Sequence, residues 1–267
     1  MIAAIVTLGS MAFILAVGLG IASRIFAVET DPKVSQISGL LPGANCGGCG
    51  YAGCAGFAVA LVAGETAPAV CKASKAEVIE EISRILGVAH TPREKQIAKI
   101  FCQGTCDKAK AKYLYEGVRD CNAAALLAGG PKACAYGCLG LGSCVKVCPF
   151  GAITMGSNGL PMIDESSCTG CGSCVRQCPK GVIQLIPARQ IWYISCNSRD
   201  KGKAVRQVCD VGCIACGLCV KNCPEQAITL ENNRAVIHPE KCSGCGTCAQ
   251  KCPQKVIHPC GSKEKVV

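Results

Sequence analysis

The stretch "CIACGLCVKNCP", residues 213–224, decides the fold of this 267-residue chain. Its first three cysteines are separated by two residues each, and the fourth follows three residues later and precedes a proline. A run of this form gives three thiolates to one iron–sulfur cluster and sends the fourth to a neighbouring cluster. The stretch therefore predicts a small domain that folds around two clusters held in a crossed pattern.

The same run occurs at two other places, "CTGCGSCVRQCP" at 168–179 and "CSGCGTCAQKCP" at 242–253. Zinc sites usually take cysteines as two separated pairs, so three evenly spaced cysteines favour [4Fe–4S] clusters over zinc. The crossed pattern predicts three complete ligand sets: Cys213, Cys216, Cys219 and Cys252; Cys223, Cys242, Cys245 and Cys248; and Cys148, Cys168, Cys171 and Cys174.

A fourth run, at 138–149, is defective because Leu141 stands where a cysteine is expected. Cys134 lies four residues before Cys138, and the turn "CAYGC" between them could fold the chain back. We therefore expect this cluster to be held by Cys134, Cys138, Cys144 and Cys178. The alternative is a three-iron cluster that has no fourth ligand.

An internal repeat relates residues 121–154 to residues 196–229. The alignment pairs Cys121 with Cys196, Cys134 with Cys209, Cys138 with Cys213, Cys144 with Cys219, Cys148 with Cys223, and Leu141 with Cys216. Each copy continues into a hairpin signal, at Asn158-Gly159 and at Asn232-Asn233, and the first dipeptide suits a type I′ turn. The repeat predicts two tandem dicluster ferredoxin-like modules, at 134–188 and 189–259.

A different spacing, C-x2-C-x4-C-x16-C, predicts a small [4Fe–4S] domain over 38–88. Its ligands are expected to be Cys46, Cys49, Cys54 and Cys71. A short buried helix should carry the chain from the third ligand to the fourth. An amphipathic helix should follow over 74–87, with a capping box formed by Ser74 and Glu77 and a stop at Gly87.

The connecting segment 89–133 holds three more cysteines, and its stretch "KQIAKIF" fits either a strand or a helix. Cys102, Cys106 and Cys121 need a fourth ligand, for which the repeat nominates Cys209, with Cys196 as the alternative. The prediction is then about six [4Fe–4S] clusters that use 24 of the 26 cysteines. Cys260 is expected to be a spare thiol at the start of a frayed tail, 260–267.

The first 23 residues carry no charge and are long enough to cross a bilayer as one helix, assigned to 1–24 and followed by a polar linker, 25–37. Lys and Arg are plentiful after this segment and absent before it, which places the cysteine-rich part in the cytoplasm. Thiols stay reduced in that compartment, so metal binding is favoured over a disulfide framework. The fold class is therefore α+β, with one transmembrane helix, a small [4Fe–4S] domain and the two modules.

The formal charge of +10 is not read as a nucleic-acid footprint, because no basic run has interleaved aromatic residues. A [4Fe–4S] core held by four thiolates is a dianion, so six clusters would add about −12. The excess of Lys and Arg is interpreted as compensation for buried anionic clusters. No P-loop, dinucleotide fingerprint or catalytic triad is recognisable, so no catalytic residue is predicted on this chain.

The N-terminal anchor, the C-x2-C-x4-C-x16-C domain and the ferredoxin-like modules together resemble the B subunit of the Rnf complex, in its long, cluster-rich form. The resemblance covers nearly the whole chain. It implies an electron-transfer subunit of an ion-translocating ferredoxin:NAD⁺ oxidoreductase in the cytoplasmic membrane, with soluble ferredoxin as donor. It also implies flavin- and NAD-binding partner subunits and integral membrane subunits. Two alternatives are the electron-input subunit of another membrane oxidoreductase and an iron–sulfur sensor or scaffold.

Overall fold

The computed structural model describes residues 2–25, 31–89 and 93–261. Part of the predicted linker, 26–30, and most of the predicted tail, 262–267, lie outside the described residues. Within them the chain mixes short helices with short antiparallel strands, and no sheet has more than two strands. The fold is a mixed helix and strand arrangement with an apolar helix at its N-terminal end.

Helix α1 (Ile2–Ile25) is apolar throughout and has its one basic residue, Arg24, in the last turn. The part Val6–Ile25 is long and apolar enough to cross a membrane, and none of it is buried against the rest of the protein. By length and composition it is the one such helix in the described part of the chain. A fully exposed apolar helix is expected to lie in a bilayer.

Three helices build the N-terminal domain: α2 (Pro32–Leu40), α3 (Cys54–Val62) and α4 (Ala76–Leu86). The linker prediction over 25–37 is wrong from residue 32 onward, because α2 begins there. Asp31 caps this helix through a bond that its carboxylate accepts from the Lys33 N–H, and Pro32 occupies the first turn. Ile37 is fully buried, so α2 is part of the domain core.

Helix α4 lies where the amphipathic pattern predicts it, and Gly87 ends it in the left-handed conformation at φ 67°. The predicted capping box is wrong, however. Lys75 is the N-cap residue and makes no side-chain cap, while the Ser74 hydroxyl donates to Cys71 Sγ at 3.1 Å. The Ser74 hydroxyl therefore bonds to a cysteine of the predicted site and does not cap the helix.

The first strand unit consists of two antiparallel pairs. Strand β1 (Gln96–Ile100) pairs with β4 (Ile183–Pro187), and β2 (Ile153–Met155) pairs with β3 (Pro161–Ile163). The stretch "KQIAKIF" is thus a strand, and it supplies half of a sheet to the unit although it lies in the predicted connecting segment. The unit also contains the helices α5 (Cys121–Leu126), α6 (Ser143–Lys146) and α7 (Ser173–Gln177).

The second strand unit repeats this plan. Strand β5 (Trp192–Ile194) pairs with β8 (Ile257–Pro259), and β6 (Ile228–Glu231) pairs with β7 (Arg234–Ile237). Its helices are α8 (Gly202–Val208), α9 (Leu218–Lys221) and α10 (Thr247–Gln250). In both units the first strand pairs with the last, and the two strands between them pair with each other as a hairpin.

The two hairpin turns differ. Asn232 and Asn233 both have positive φ, 47° and 60°, as a type I′ turn requires. At the other hairpin only Gly159 has positive φ, and the Asn158 side chain accepts a bond from the Leu160 N–H. The predicted type I′ turn at Asn158-Gly159 is therefore wrong, since this loop is longer and is held by the asparagine side chain.

Each unit has a small apolar core that is completed by cysteines. Ile97, Val182 and Ile183 form the centre of the first unit, and Tyr193 from β5 is buried against them. Ile194 and Val256 belong to the second core. Because neighbouring β5 residues enter different cores, the two units are packed together along this strand.

Candidate iron–sulfur sites

Four hollows in the described part of the chain are each lined by four cysteines. No cysteine is shared between two of them. Two of them contain sets that the crossed pattern predicts: Cys148, Cys168, Cys171 and Cys174 in one, and Cys223, Cys242, Cys245 and Cys248 in the other. In each, a run of three cysteines faces a fourth from the opposite run.

The hollow beside the defective run contains Cys121, Cys138, Cys144 and Cys178. The predicted grouping placed Cys134 there, and this grouping is wrong. Cys121 begins helix α5, and its N–H donates to Ser143 Oγ at 2.7 Å, while Ser143 donates to Asp120 at 2.8 Å. Since Ser143 precedes Cys144, these bonds hold Cys121 beside the defective run, where it is the fourth cysteine of the hollow.

The fourth hollow, which we call the junction site, is lined by Cys102, Cys134, Cys196 and Cys209. The predicted set of Cys102, Cys106, Cys121 and Cys209 is therefore wrong in two members. Cys106 is exposed, and its N–H bonds to the Asn158 carbonyl at 3.3 Å, away from this hollow. Both repeat-nominated candidates, Cys196 and Cys209, belong to the junction site.

An approximate two-fold relation between the strand units explains this set. Cys102 lies two residues beyond β1 and Cys196 two residues beyond β5, and the two form an antiparallel bridge. The Cys138 N–H donates to Cys102 Sγ at 3.4 Å, and the Cys213 N–H donates to Cys196 Sγ at 3.2 Å. The structural equivalent of Cys196 is thus Cys102, whereas the sequence repeat paired it with Cys121.

A cysteine two residues after the first strand of each unit was the signal that could have revealed this relation. It is visible in "AKIFC" and "WYISC". By its sequence alone the first of these stretches fits either a strand or a helix, so the sequence does not identify Cys102 as the counterpart of Cys196.

For the two remaining predicted sets, the evidence is which thiols raise the pKa of one member of each set, Cys219 and Cys46. Burial raises the pKa of Cys219 to about 11, and Cys213, Cys252 and Cys216 act in the same direction. Burial likewise raises the pKa of Cys46, with contributions from the thiols of Cys171, Cys71 and Cys49. The predicted sets Cys213, Cys216, Cys219, Cys252 and Cys46, Cys49, Cys54, Cys71 accord with these neighbours, and Cys54 begins α3 within the same core.

Neighbouring sets also contact one another. The Cys46 carbonyl accepts bonds from Arg176 at 2.8 Å and Ser173 at 3.3 Å, which joins the N-terminal domain to α7. Burial raises the pKa of Cys174 to about 12, and Cys144 of the adjacent hollow is among the thiols that add to this effect. The junction site touches a set on each side through the Cys138 and Cys213 N–H groups.

The residues present fit [4Fe–4S] clusters better than single ions. Soft thiolates are the ligands that iron–sulfur clusters prefer. Thr169 Oγ1 is the one buried side-chain oxygen or nitrogen without a hydrogen-bond partner among the described residues, and Thr169 lines the hollow of Cys168 and Cys171. A cluster sulfur there would accept a hydrogen bond from this hydroxyl.

The protonation states of the thiols are consistent with sites that are completed by binding. Burial raises the pKa of Cys138 and of Cys196 to about 12, so both remain protonated at neutral pH without a ligand. By contrast, a bond from Thr247 lowers the pKa of the exposed Cys245. Binding a cluster would displace the thiol protons, because only thiolates coordinate metal.

Three family models match this chain. The model described as "Putative Fe-S cluster" matches residues 41–73, which contain Cys46, Cys49, Cys54 and Cys71. Two models described as "4Fe-4S dicluster domain" match residues 133–183 and 212–256. The chain therefore contains iron–sulfur domains of the [4Fe–4S] type.

Three curated relatives are similar over most of the chain. The B subunit of the proton-translocating ferredoxin:NAD(+) oxidoreductase complex of Clostridium ljungdahlii is 52 % identical over 84 % of this chain and 80 % of the relative. The B subunit of the Na(+)-translocating ferredoxin:NAD(+) oxidoreductase complex of Acetobacterium woodii is 43 % identical, over 88 % and 71 %. The B subunit of the ion-translocating oxidoreductase complex of Methanosarcina acetivorans is 42 % identical, over 91 % and 92 %.

Proposed function

Because this chain belongs to the family of B subunits of ion-translocating ferredoxin:NAD(+) oxidoreductase complexes, we propose that it carries electrons within such a complex through six [4Fe–4S] clusters. The function is that of an electron-transfer subunit of a membrane-associated oxidoreductase. The relatives favour this over the subunit of an unrelated oxidoreductase. The clusters supply one-electron chemistry, and the chain sets their spacing, burial and hydrogen bonds.

The proposed ligands form six sets of four cysteines. They are Cys46, Cys49, Cys54 and Cys71; Cys148, Cys168, Cys171 and Cys174; Cys121, Cys138, Cys144 and Cys178; Cys102, Cys134, Cys196 and Cys209; Cys213, Cys216, Cys219 and Cys252; and Cys223, Cys242, Cys245 and Cys248. Cys106 and Cys260 belong to none of them. On this assignment each strand unit is a dicluster ferredoxin-like module, and the two modules stand in tandem.

The proposed order of the sites is the order just given, from the N-terminal domain to the end of the second module. Contacts between neighbouring sets support it. The N-terminal set adjoins Cys171, Cys174 adjoins Cys144, and the junction site is bonded to both modules. Cys213, Cys219 and Cys248 of the last two sets share one core. The sites therefore form a line without branches.

The two ends of the line differ in ways that suggest a direction. Helix α1 is proposed to anchor the N-terminal end as a single membrane span, with the cluster-bearing part on the cytoplasmic side. At the other end Cys245 is exposed and Lys241 is exposed next to Cys242. Exposed Lys251 and Lys255 lie on the same module. We propose that a soluble ferredoxin, steered by this positive charge, gives its electrons here.

The observation that carries the proposal is that four hollows are each lined by four cysteines, and metal analysis tests it. Protein purified without oxygen should contain about 24 iron atoms and equal sulfide per chain, on the ligand count of a cubane. Reduction should produce the EPR signals of interacting [4Fe–4S] clusters. Colourless protein, or protein that holds only zinc, would contradict the proposal. Ferredoxin oxidation that does not depend on ionic strength would contradict only the docking of the donor.

A further inference from the structure

Lys132 is a buried lysine whose charge has no carboxylate partner among the described residues. It is 8 % exposed, and its ammonium donates to the Gly104 carbonyl. The other buried lysine, Lys99, forms an ion pair with Glu165 and lies over the Tyr193 ring. A buried ammonium loses its hydration, and one neutral carbonyl does not replace it, so Lys132 requires a negative group nearby.

The surroundings of Lys132 identify that group. Lys132 lines the junction hollow together with Cys102, Cys134 and Cys209. Gly104, whose carbonyl accepts the Lys132 bond, adjoins two of these thiols: a Cβ placed on it would lie 3.4 Å from Cys209 Sγ and 3.7 Å from Cys102 Sγ. Cys102 Sγ in turn accepts a bond from the Cys138 N–H of the adjacent set. The lysine therefore faces the cavity that the four junction thiols surround, with a second thiol set close by.

The position of Lys132 breaks the two-fold relation between the strand units. Lys132 precedes Cys134 by two residues, and the residue that precedes Cys209 by two is Gln207. Gln207 is exposed and neutral, so the junction site receives a buried positive charge from the first unit alone. Two carboxylates have the opposite charge: Asp200 raises the pKa of Cys134, and Asp210 raises the pKa of Cys209. Neither aspartate is buried, so water screens their charges.

We propose that Lys132 is the fixed counter-charge of the junction cluster and raises its reduction potential. The proposal rests on the ligand set given above for the junction site. A [4Fe–4S] cluster with four thiolates is a dianion, and reduction adds one more negative charge. An ammonium held in a dry site favours the more negative state, because charge interactions are strong where water is excluded. By raising this potential, Lys132 would favour the reduced state of the junction cluster, in the middle of the line of sites.

The test is a redox titration, followed by EPR, of anaerobically purified full-length variants. Lys132→Met removes the charge and keeps the length of the side chain, and Lys132→Gln is a second neutral variant. Lys132→Arg retains the charge. The matched control is Lys110→Met, because Lys110 is an exposed lysine on the neighbouring strand segment. The junction signal is identified as the one that disappears in Cys209→Ser.

The neutral variants should lower the junction midpoint potential while the iron content stays at the wild-type level. The expected change is about tenfold in the ratio of reduced to oxidised cluster at a fixed solution potential, which is about 59 mV for one electron. Lys132→Arg and Lys110→Met should leave the potential unchanged. If the neutral variants lose four iron atoms and Lys132→Arg does not, the counter-charge is also supported.

Unchanged midpoint potentials in fully loaded neutral variants would overturn the inference. So would a Lys132→Arg variant that behaves like the neutral ones, because shape rather than charge would then be responsible. Absence of iron and sulfide from the wild-type chain would instead remove the proposed function. The two failures are therefore distinguishable.

Discussion

The two strand units use one scaffold in different ways. On the ligand sets proposed above, the run Cys213, Cys216, Cys219 of the second unit supplies three ligands of one cluster. In the first unit Leu141 interrupts that run, and Cys121 reaches the same place from helix α5 through its bond to Ser143. The comparison indicates that different segments of the chain can supply the ligand at the same position of this fold.

The junction site extends this lesson to ligands from both units. Cys102 and Cys196 are placed by the ends of equivalent strands, and Cys134 and Cys209 by the residues that lead into the two cysteine runs. The intervening segments, 103–133 and 197–208, differ greatly in length. The strand ends and run starts nevertheless converge, because the paired strands fix them.

Removing a ligand of the junction site should have the largest effect on electron transfer. Cys209→Ser removes one ligand from the site that connects the two modules, so electrons can no longer pass along the line. In the assembled complex, ferredoxin-dependent NAD⁺ reduction should fall at least a hundredfold. That loss corresponds to about 2.7 kcal/mol of barrier or more. The variant should still hold about 20 iron atoms, as five cubanes require. Wild-type activity in a variant that lacks this cluster would contradict the linear order.

The first unit can be given the uninterrupted cysteine run of the second by two substitutions, Cys121→Ser and Leu141→Cys. Cys121→Ser should cost one cluster, about four iron atoms on the cubane count. Leu141→Cys in the same chain should restore them, because it recreates the uninterrupted run that serves the second unit. Iron and sulfide analysis measures both variants. A full iron content in Cys121→Ser alone would show that Cys121 is not a ligand.

Exposed cysteines should react according to their membership of a set. Cys106, Cys216 and Cys245 are all exposed, but only Cys106 lies outside the six tetrads. In the loaded protein iodoacetamide should modify Cys106 at least tenfold faster than the other two, because coordinated thiolates are not free nucleophiles.

The lowered pKa of Cys245 makes its expected slow modification a demanding test of ligation. The bond from Thr247 lowers the pKa of Cys245, so without a cluster this thiol would be more ionised at neutral pH, and more reactive, than an ordinary exposed cysteine. Peptide mass spectrometry reads the sites of modification. Rapid modification of Cys245 in protein that retains all its iron would contradict its role as a ligand.

The smallest expected effect concerns equivalent hydroxyl residues in the two units. Thr169 and Ser243 each follow the first cysteine of a run, and Ser243 bonds to Cys245. The Thr169 hydroxyl is buried and finds no partner among the described residues. If it donates to a cluster, Thr169→Val should lower that midpoint potential by a few tens of millivolts, since a hydrogen bond contributes about 1 kcal/mol and about 59 mV is tenfold. Thr169→Ser should not change it, and equal potentials in both variants would contradict the bond.

Sequence reasoning captured the parts of this molecule that local spacing determines. The C-x2-C-x2-C runs, the helix that ends at Gly87 and the Asn232-Asn233 turn all depend on residues close in sequence. The family resemblance is confirmed by relatives at 42–52 % identity.

The groupings of Cys121, Cys134 and Cys196 could not be obtained this way. They depend on which strands pair and on where a hydroxyl such as Ser143 holds a helix end. The sequence repeat pairs the units by identical cysteine spacing from Cys121 and Cys196 onward, whereas the structure aligns the units on the ends of β1 and β5. Helix α2 is a further difference: Asp31 and Pro32 are a helix start signal, but the polarity of the segment favours a linker.

The most direct test of the account compares two cysteines that spacing and structure assign in opposite ways. Cys196→Ser and Cys106→Ser should be purified without oxygen as full chains and analysed for iron and sulfide. The account predicts about 20 iron atoms per chain for Cys196→Ser and about 24 for Cys106→Ser, four per cubane. The reverse result would show that Cys106 is a ligand and would contradict the junction site.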